Sequence, residues 1–257
     1  MVRVLSIVLL AVLLTGSLAL FDRDTREAIS YKLDPSAEKA LALGQKHFDS
    51  RRGDLYDIDR ASSYLEEAYA LDPDHPTLNH EMARIAFLRG DFDKAMQFID
   101  REIELQGEAF PNAFYIRGLI EGYMGDYHAA ALDYAVYLAH DPTNWAAIND
   151  YAWVLLKAHR IEDALLATER GLVHFPQNPW LLNSEAIALY ELGRYEESMQ
   201  SAALAAGAAE QVTPEIWLRA YPGNDPATAE AGIKSLREAI INNIHMAALT
   251  LAHGAVQ

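Results

Sequence analysis

Gly125-Asp126-Tyr127-His128-Ala129-Ala130-Ala131-Leu132-Asp133-Tyr134-Ala135-Val136-Tyr137-Leu138-Ala139-His140-Asp141-Pro142 is the stretch whose reading decides the fold. Gly125 and Asp126 make a turn, the middle is an amphipathic helix, and Pro142 stops it. Tyr127 at the turn is followed by the small residue Ala130, on whose side a second helix can approach closely. Tyr134 and Tyr137 then fall at helical spacing on the packing side.

The pattern recurs. The small position of this helix appears as Ala61, Ala95, Ala130, Ala164 and Ser198, at intervals of 34, 35, 34 and 34 residues. The residue that packs at the turn before it appears as Ile58, Phe92, Tyr127, Ile161 and Tyr195. A preceding helix carries its own small position at Gly44, Ala83, Gly118, Ala152 and Ala186. Pro73, Pro142 and Pro176 close three of the units, and Gly107 holds that place once. A helix-turn-helix unit of about 34 residues with this pattern resembles the tetratricopeptide repeat. The resemblance spans residues 37–211 and implies an all-α, right-handed solenoid of five repeats. The first repeat is enlarged at its turn by a five-residue insertion, within Ser50 to Asp57.

The totals narrow the partners. Twenty-one basic against 37 acidic residues leave a formal charge of -16. Nucleic-acid phosphates require a basic face, so that class of ligand is excluded. Hydrophobic residues make up 51% of the chain, enough to bury a core, and cysteine is absent, which removes disulfides and thiol catalysis.

The ends lie outside the repeats. Residues 4–21 form an apolar run behind Arg3, interrupted by Thr15-Gly16-Ser17. It reads either as a secretory signal with a small-x-small site at Ser17-Leu18-Ala19, or as an uncleaved membrane anchor of marginal length. Both place the rest of the chain outside the cytoplasm, in the periplasm or an equivalent compartment. Residues 22–36 are a charged connector. After the repeats, residues 212–257 predict a short helix over Pro214 to Tyr221, a turn at Tyr221 to Asn224, and a long helix. That helix opens at Asp225-Pro226, with Asp as the N-cap and Pro at the first helical position. Its stripe of Ile233, Leu236, Ile240 and Ile244 suits either a cap over the fifth repeat or a homo-oligomer seam.

The resemblance further implies that the first helix of each repeat lines a concave groove. Carried onto this sequence, the groove faces hold Arg84 and Phe87, then Tyr115 and Tyr123, then Asn149 and Trp153, then Asn183 and Tyr190. Asn149 and Asn183 occupy matching places in successive repeats, and an amide both donates and accepts, so a row of them can hold an extended peptide. The rings beside them supply contact area typical of binding hot spots. Some tetratricopeptide repeat proteins grip a C-terminal carboxylate with a Lys-x-x-x-Asn pair on a first helix. No such pair exists here.

Arg117 stands where these first helices usually carry an apolar residue. It is expected to be largely buried and paired, with Glu121 four residues on or with Glu102 of the preceding helix. No phosphate loop, no Gly-x-Ser-x-Gly and no His-Glu-x-x-His is present, and the nine histidines are scattered. The expectation is a scaffold without catalysis, metal or cofactor, exported or membrane-anchored, that binds a protein partner in its groove within an envelope assembly. A self-assembling module and a non-catalytic subunit of a membrane enzyme are the alternatives.

Overall fold

The computed structural model describes residues 21–254, so the readings of residues 1–20 as signal or anchor lie outside the described residues. No helix among the described residues is long and apolar enough to cross a membrane.

The described chain is helical and runs as five stacked hairpins. They are α2 (Ala37–Phe48) with α3 (Ile58–Leu71), α4 (Leu78–Leu88) with α5 (Phe92–Gln106), α6 (Asn112–Met124) with α7 (Tyr127–His140), α8 (Trp145–Lys157) with α9 (Ile161–His174), and α10 (Pro179–Glu191) with α11 (Tyr195–Ala209). The connector contains a further helix, α1 (Arg23–Leu33), laid on the flank of the first hairpin. Tyr31 of α1 is buried there and donates its phenol to Glu67, while Lys46 of α2 bonds Glu27 and Asp24.

The sequence dictates each hairpin locally. Asp57, Asp91 and Asp126 cap the second helices of the first three repeats by accepting the N–H of Arg60, Lys94 and Ala129. The small positions are the points of closest approach: Ala61, Ala95, Ala130, Ala164, Ala83, Ala152 and Ala186 have no exposed surface. Each apolar cluster is shared between neighbouring repeats. Ala83, Ala86, Ala95 and Ile99 of the second repeat meet Ala113, Ile116 and Ile120 of the third, so the core is continuous along the stack.

The insertion in the first repeat is a 3₁₀ segment, Ser50–Leu55, kinked at Gly53 and tied back by the N–H of Asp57 on the His47 carbonyl. At the other end come α12 (Pro214–Ala220), a turn, a 3₁₀ turn Pro226–Thr228 and α13 (Ala229–Gly254). Asp225 caps the 3₁₀ turn, and the long helix starts only at Ala229, three residues after the proline expected to open it.

The apolar stripe of α13 is spent within the chain. Ile233 and Ile240 are buried, and Leu236 and Ile244 pack beside them on the fifth repeat, against Leu182, Ala205 and Ala209. Arg237 adds two donors to the Ala209 carbonyl, one of the acceptors left open at the end of α11. The stripe of Ile233, Leu236, Ile240 and Ile244 thus covers the fifth repeat as the cap reading expects: Ile233 and Ile240 are fully taken up, and Leu236 and Ile244 are half-buried beside them.

Candidate functional site

The first helices α4, α6, α8 and α10 present one side chain per turn to the concave face. Phe87, Tyr123 and Trp153 form a continuous row there, with ring centroids 5.0 Å apart for Phe87 and Tyr123 and 5.5 Å for Tyr123 and Trp153. Tyr123 remains 58% exposed. The row borders a cavity of about 590 Å³ whose walls include seven of the eight sequence-predicted groove residues: Arg84, Phe87, Tyr115, Tyr123, Asn149, Trp153 and Asn183. Tyr190 is not in that wall. Its hydroxyl shares a hydrogen bond of 3.1 Å with Thr250 of α13.

The groove is not open along its length. The segment 214–224 crosses it as a strap, with Trp217, Tyr221, Pro222 and Asn224 forming the opposite side of the cavity. At the C-terminal end the strap is held by Trp180, whose indole N–H donates to the Tyr221 hydroxyl at 2.9 Å. At the N-terminal end Tyr56 donates to the Gly223 carbonyl at 2.8 Å and Arg84 to the Pro222 carbonyl at 3.2 Å. The Gly223 N–H reaches Ser50 Oγ at 3.4 Å. The insertion in the first repeat is thus the landing place of the strap. Nothing in the sequence joined the two: they are 167 residues apart along the chain where Tyr56 meets Gly223.

Two amides expected to be free are already engaged. Asn183 accepts from Asn243 of α13 at 2.8 Å, and Asn149 accepts from Ser184 at 2.9 Å. Both bonds engage the amide oxygens, so what the pair presents to the groove is its N–H donors, with Asn149 Nδ2 in a long contact of 3.4 Å to Asp150.

The residue that sequence reading missed is Asp150, next to Asn149. Its carboxylate lies at the cavity wall and accepts from Tyr115 at 2.8 Å, with a long contact of 3.4 Å to Asn149. Burial pushes its pKa up to about 6. The same burial, with Asp150 adjacent, raises Tyr115 well above the usual phenol value and also raises Tyr123; Tyr221 is pushed up to about 12. Asp150 forms no ion pair among the described residues. An aspartate in the middle of the largely apolar helix Trp145–Lys157 was the available signal.

The expected buried ion pair is rearranged. Arg117 is 25% exposed at its side chain and forks onto Asp133 of α7, at 2.6 Å from Nε and 2.9 Å from Nη2, with Asp100 at 3.3 Å. Glu121 is a distant partner at 3.9 Å, and burial beside the Asp133 carboxylate holds it well above the usual carboxylate range. Glu102 does not meet Arg117 at all. It is fully buried and accepts the N–H of Thr77 at 2.9 Å and of His80 at 3.2 Å, with Gln106 also bonded to it. It caps α4 from the neighbouring helix, where Thr77, in a left-handed conformation, offers no side-chain cap of its own. The sequence reading named Glu121 on the same helix and Glu102 on the preceding one, whereas the fork is to Asp133 on α7, across the hairpin.

These features define a class: a curved stack of helical hairpins whose concave wall is aromatic and whose mouth is partly roofed. The units are tetratricopeptide repeats, and the tetratricopeptide repeat family matches residues 54–106 directly. No curated protein sequence matches the chain. Solved structures with the same fold include PilW, described as a widely conserved type IV pilus biogenesis factor. It is 16% identical, with a TM-score of 0.60 over 80% of this chain and 90% of that one. YrrB, described as a tetratricopeptide repeat protein with an unusual peptide-binding site, is 12% identical, with a TM-score of 0.58 over 74% and 94%. MamA from Desulfovibrio magneticus RS-1 is 18% identical, with a TM-score of 0.56 over 68% and 93%. At such identities the likeness is one of fold.

Proposed function

We propose that this chain is a non-catalytic, extracytoplasmic scaffold that receives a segment of a partner protein on its concave face. The observation that carries the reading is the row Phe87, Tyr123 and Trp153, which continues into the cavity and keeps Tyr123 in solvent. Tyr123 is exposed between two half-buried rings, and aromatic side chains are among the residue types that dominate binding energies. The strap narrows what can enter. A long helix laid along the full groove would collide with Trp217 and Tyr221, whereas a short extended segment crossing the open side meets only the ring row. The peptide-binding site in the description of YrrB and the pilus role in that of PilW are consistent with this work, and the apolar residues 4–21 with export.

The test is site-specific photo-crosslinking in the native cell from position 123, compared with position 132 on the opposite side, where Leu132 is also exposed. A discrete adduct from 123 that disappears in the Trp153→Ala background is expected. Equal adducts from both positions would remove the groove from the mechanism.

A further inference from the structure

The cavity behind the ring row has an electrostatic character that the groove reading does not use. Its wall contains two side chains that carry charge, Arg84 and Asp150. Arg84 is spoken for. It bonds Glu81 at 2.7 Å, donates to Pro222, and its guanidinium lies 4.6 Å from the centroid of the Phe48 ring. Among the described residues Asp150 bonds a hydroxyl and an amide, of Tyr115 and Asn149, and pairs with no cation. Tyr115 and Tyr123 of α6 and Tyr221 of the strap all lie close enough to feel its charge, so the carboxylate sits among rings on two elements.

An anion in this space would be repelled. A neutral apolar group would leave a carboxylate dry and unpaired, which is costly. A cation on a hydrocarbon stem satisfies both parts of the wall at once: its charge meets Asp150 and its stem and ammonium meet the rings. Depth points the same way, because the mouth lies beside the exposed Tyr123, where the rest of a bound segment would rest.

We infer that the cavity behind Tyr123 and Trp153 is a binding pocket for a basic side chain, lysine or arginine, of the partner segment, with Asp150 as its counter-ion. This rests on the groove reading and gives it a sequence preference: an acidic solenoid of charge -16 selects a partner that presents an isolated basic residue.

The experiment is titration of the full-length protein with three capped peptides, Gly-Ala-Lys-Ala-Gly and its norleucine and glutamate counterparts, and with cadaverine as a free amine. The readout is the indole N–H signal of Trp153 by NMR. The lysine peptide is expected to shift that signal saturably and to bind about tenfold more tightly than the norleucine peptide. Glutamate is expected to be inert, and Asp150→Asn to abolish the preference for lysine. Comparison of peptides on the unaltered protein keeps the test valid even where Asp150→Asn perturbs folding. Equal binding of lysine and norleucine peptides, no shift with any probe, or an undiminished lysine preference in Asp150→Asn would overturn the inference. Cadaverine binding as tightly as the peptide would make this a free-amine site and overturn the partner assignment. A Tyr123 crosslink that persists without any lysine preference would sink the pocket and leave the groove standing.

Discussion

Asp150 shows how one residue couples stability to function. Its carboxyl titrates near 6 in the folded protein against 3.8 in the unfolded chain. The folded state therefore binds the proton more tightly. The stabilising effect of that proton is complete below about pH 4 and is lost as pH rises through about 6. Above that, the charged carboxylate destabilises the fold by about 1–3 kcal/mol, the upper end being the full shift and the lower end allowing for water in the cavity. Asp150→Asn is expected to raise the melting temperature at pH 7.5 and to leave it unchanged at pH 4, as read by calorimetry on both proteins. Destabilisation of an unligated site is what a binding pocket holds in reserve for its ligand.

Arg117 gives the opposite case. Its fork onto Asp133 compensates two charges in a crowded hairpin, so Asp133→Ala should cost about 2–3 kcal/mol in urea unfolding by leaving Arg117 with only the looser Asp100 and Glu121. The Arg117→Met, Asp133→Leu double variant should recover most of that loss.

At the scale of elements, the strap decides how much of the groove is open. Two glycines let it sit where it does. Gly223 has φ +93° and a Cβ there would stand 2.9 Å from the Phe48 ring. Gly232 of α13 accepts the Trp217 indole so closely that a Cβ would fall 2.3 Å from it. Gly232→Leu must therefore expel Trp217, the anchor of α12. The expected outcome is faster amide exchange across residues 214–224 and a wider cavity mouth, with protection of α6 and α8 retained. Unchanged exchange in the strap would show that Trp217 does not anchor it. Glu102 is the other element-scale device. Glu102→Ala removes the acceptor for Thr77 and His80, and about 1–2 kcal/mol of stability is expected to go with it.

For the whole molecule, stacking makes the ends as important as the middle. A repeat buries one side against each neighbour, so the last hairpin needs a cover. Ile240 provides it with no exposed surface. Ile240→Asp is expected to lower stability by more than about 3 kcal/mol without changing the sedimentation coefficient of the protein that remains folded. A dimer seam would have shown the reverse pattern, loss of mass with stability retained. The strap adds a second long-range tie, because it bonds Trp180 of the fifth repeat and Tyr56 and Arg84 of the first two.

The sequence by itself determined the repeats. Small residues every 34 or 35 positions, turn residues before them and prolines after them act over one helical hairpin, and local rules of this kind are legible in any order. Once the resemblance says which helices line the groove, spacing picks out one face of each, and seven of the eight residues so chosen border the cavity. Only the tertiary structure decided what those residues do. That the amide oxygens of Asn149 and Asn183 accept from Ser184 and Asn243, that Asp133 rather than Glu102 answers Arg117, that Asp150 turns into a cavity and that the tail lands on the first repeat all depend on contacts between distant segments. The physical reason is that helix periodicity fixes direction around one axis, whereas partners across the groove are fixed by how the axes of successive helices are stacked.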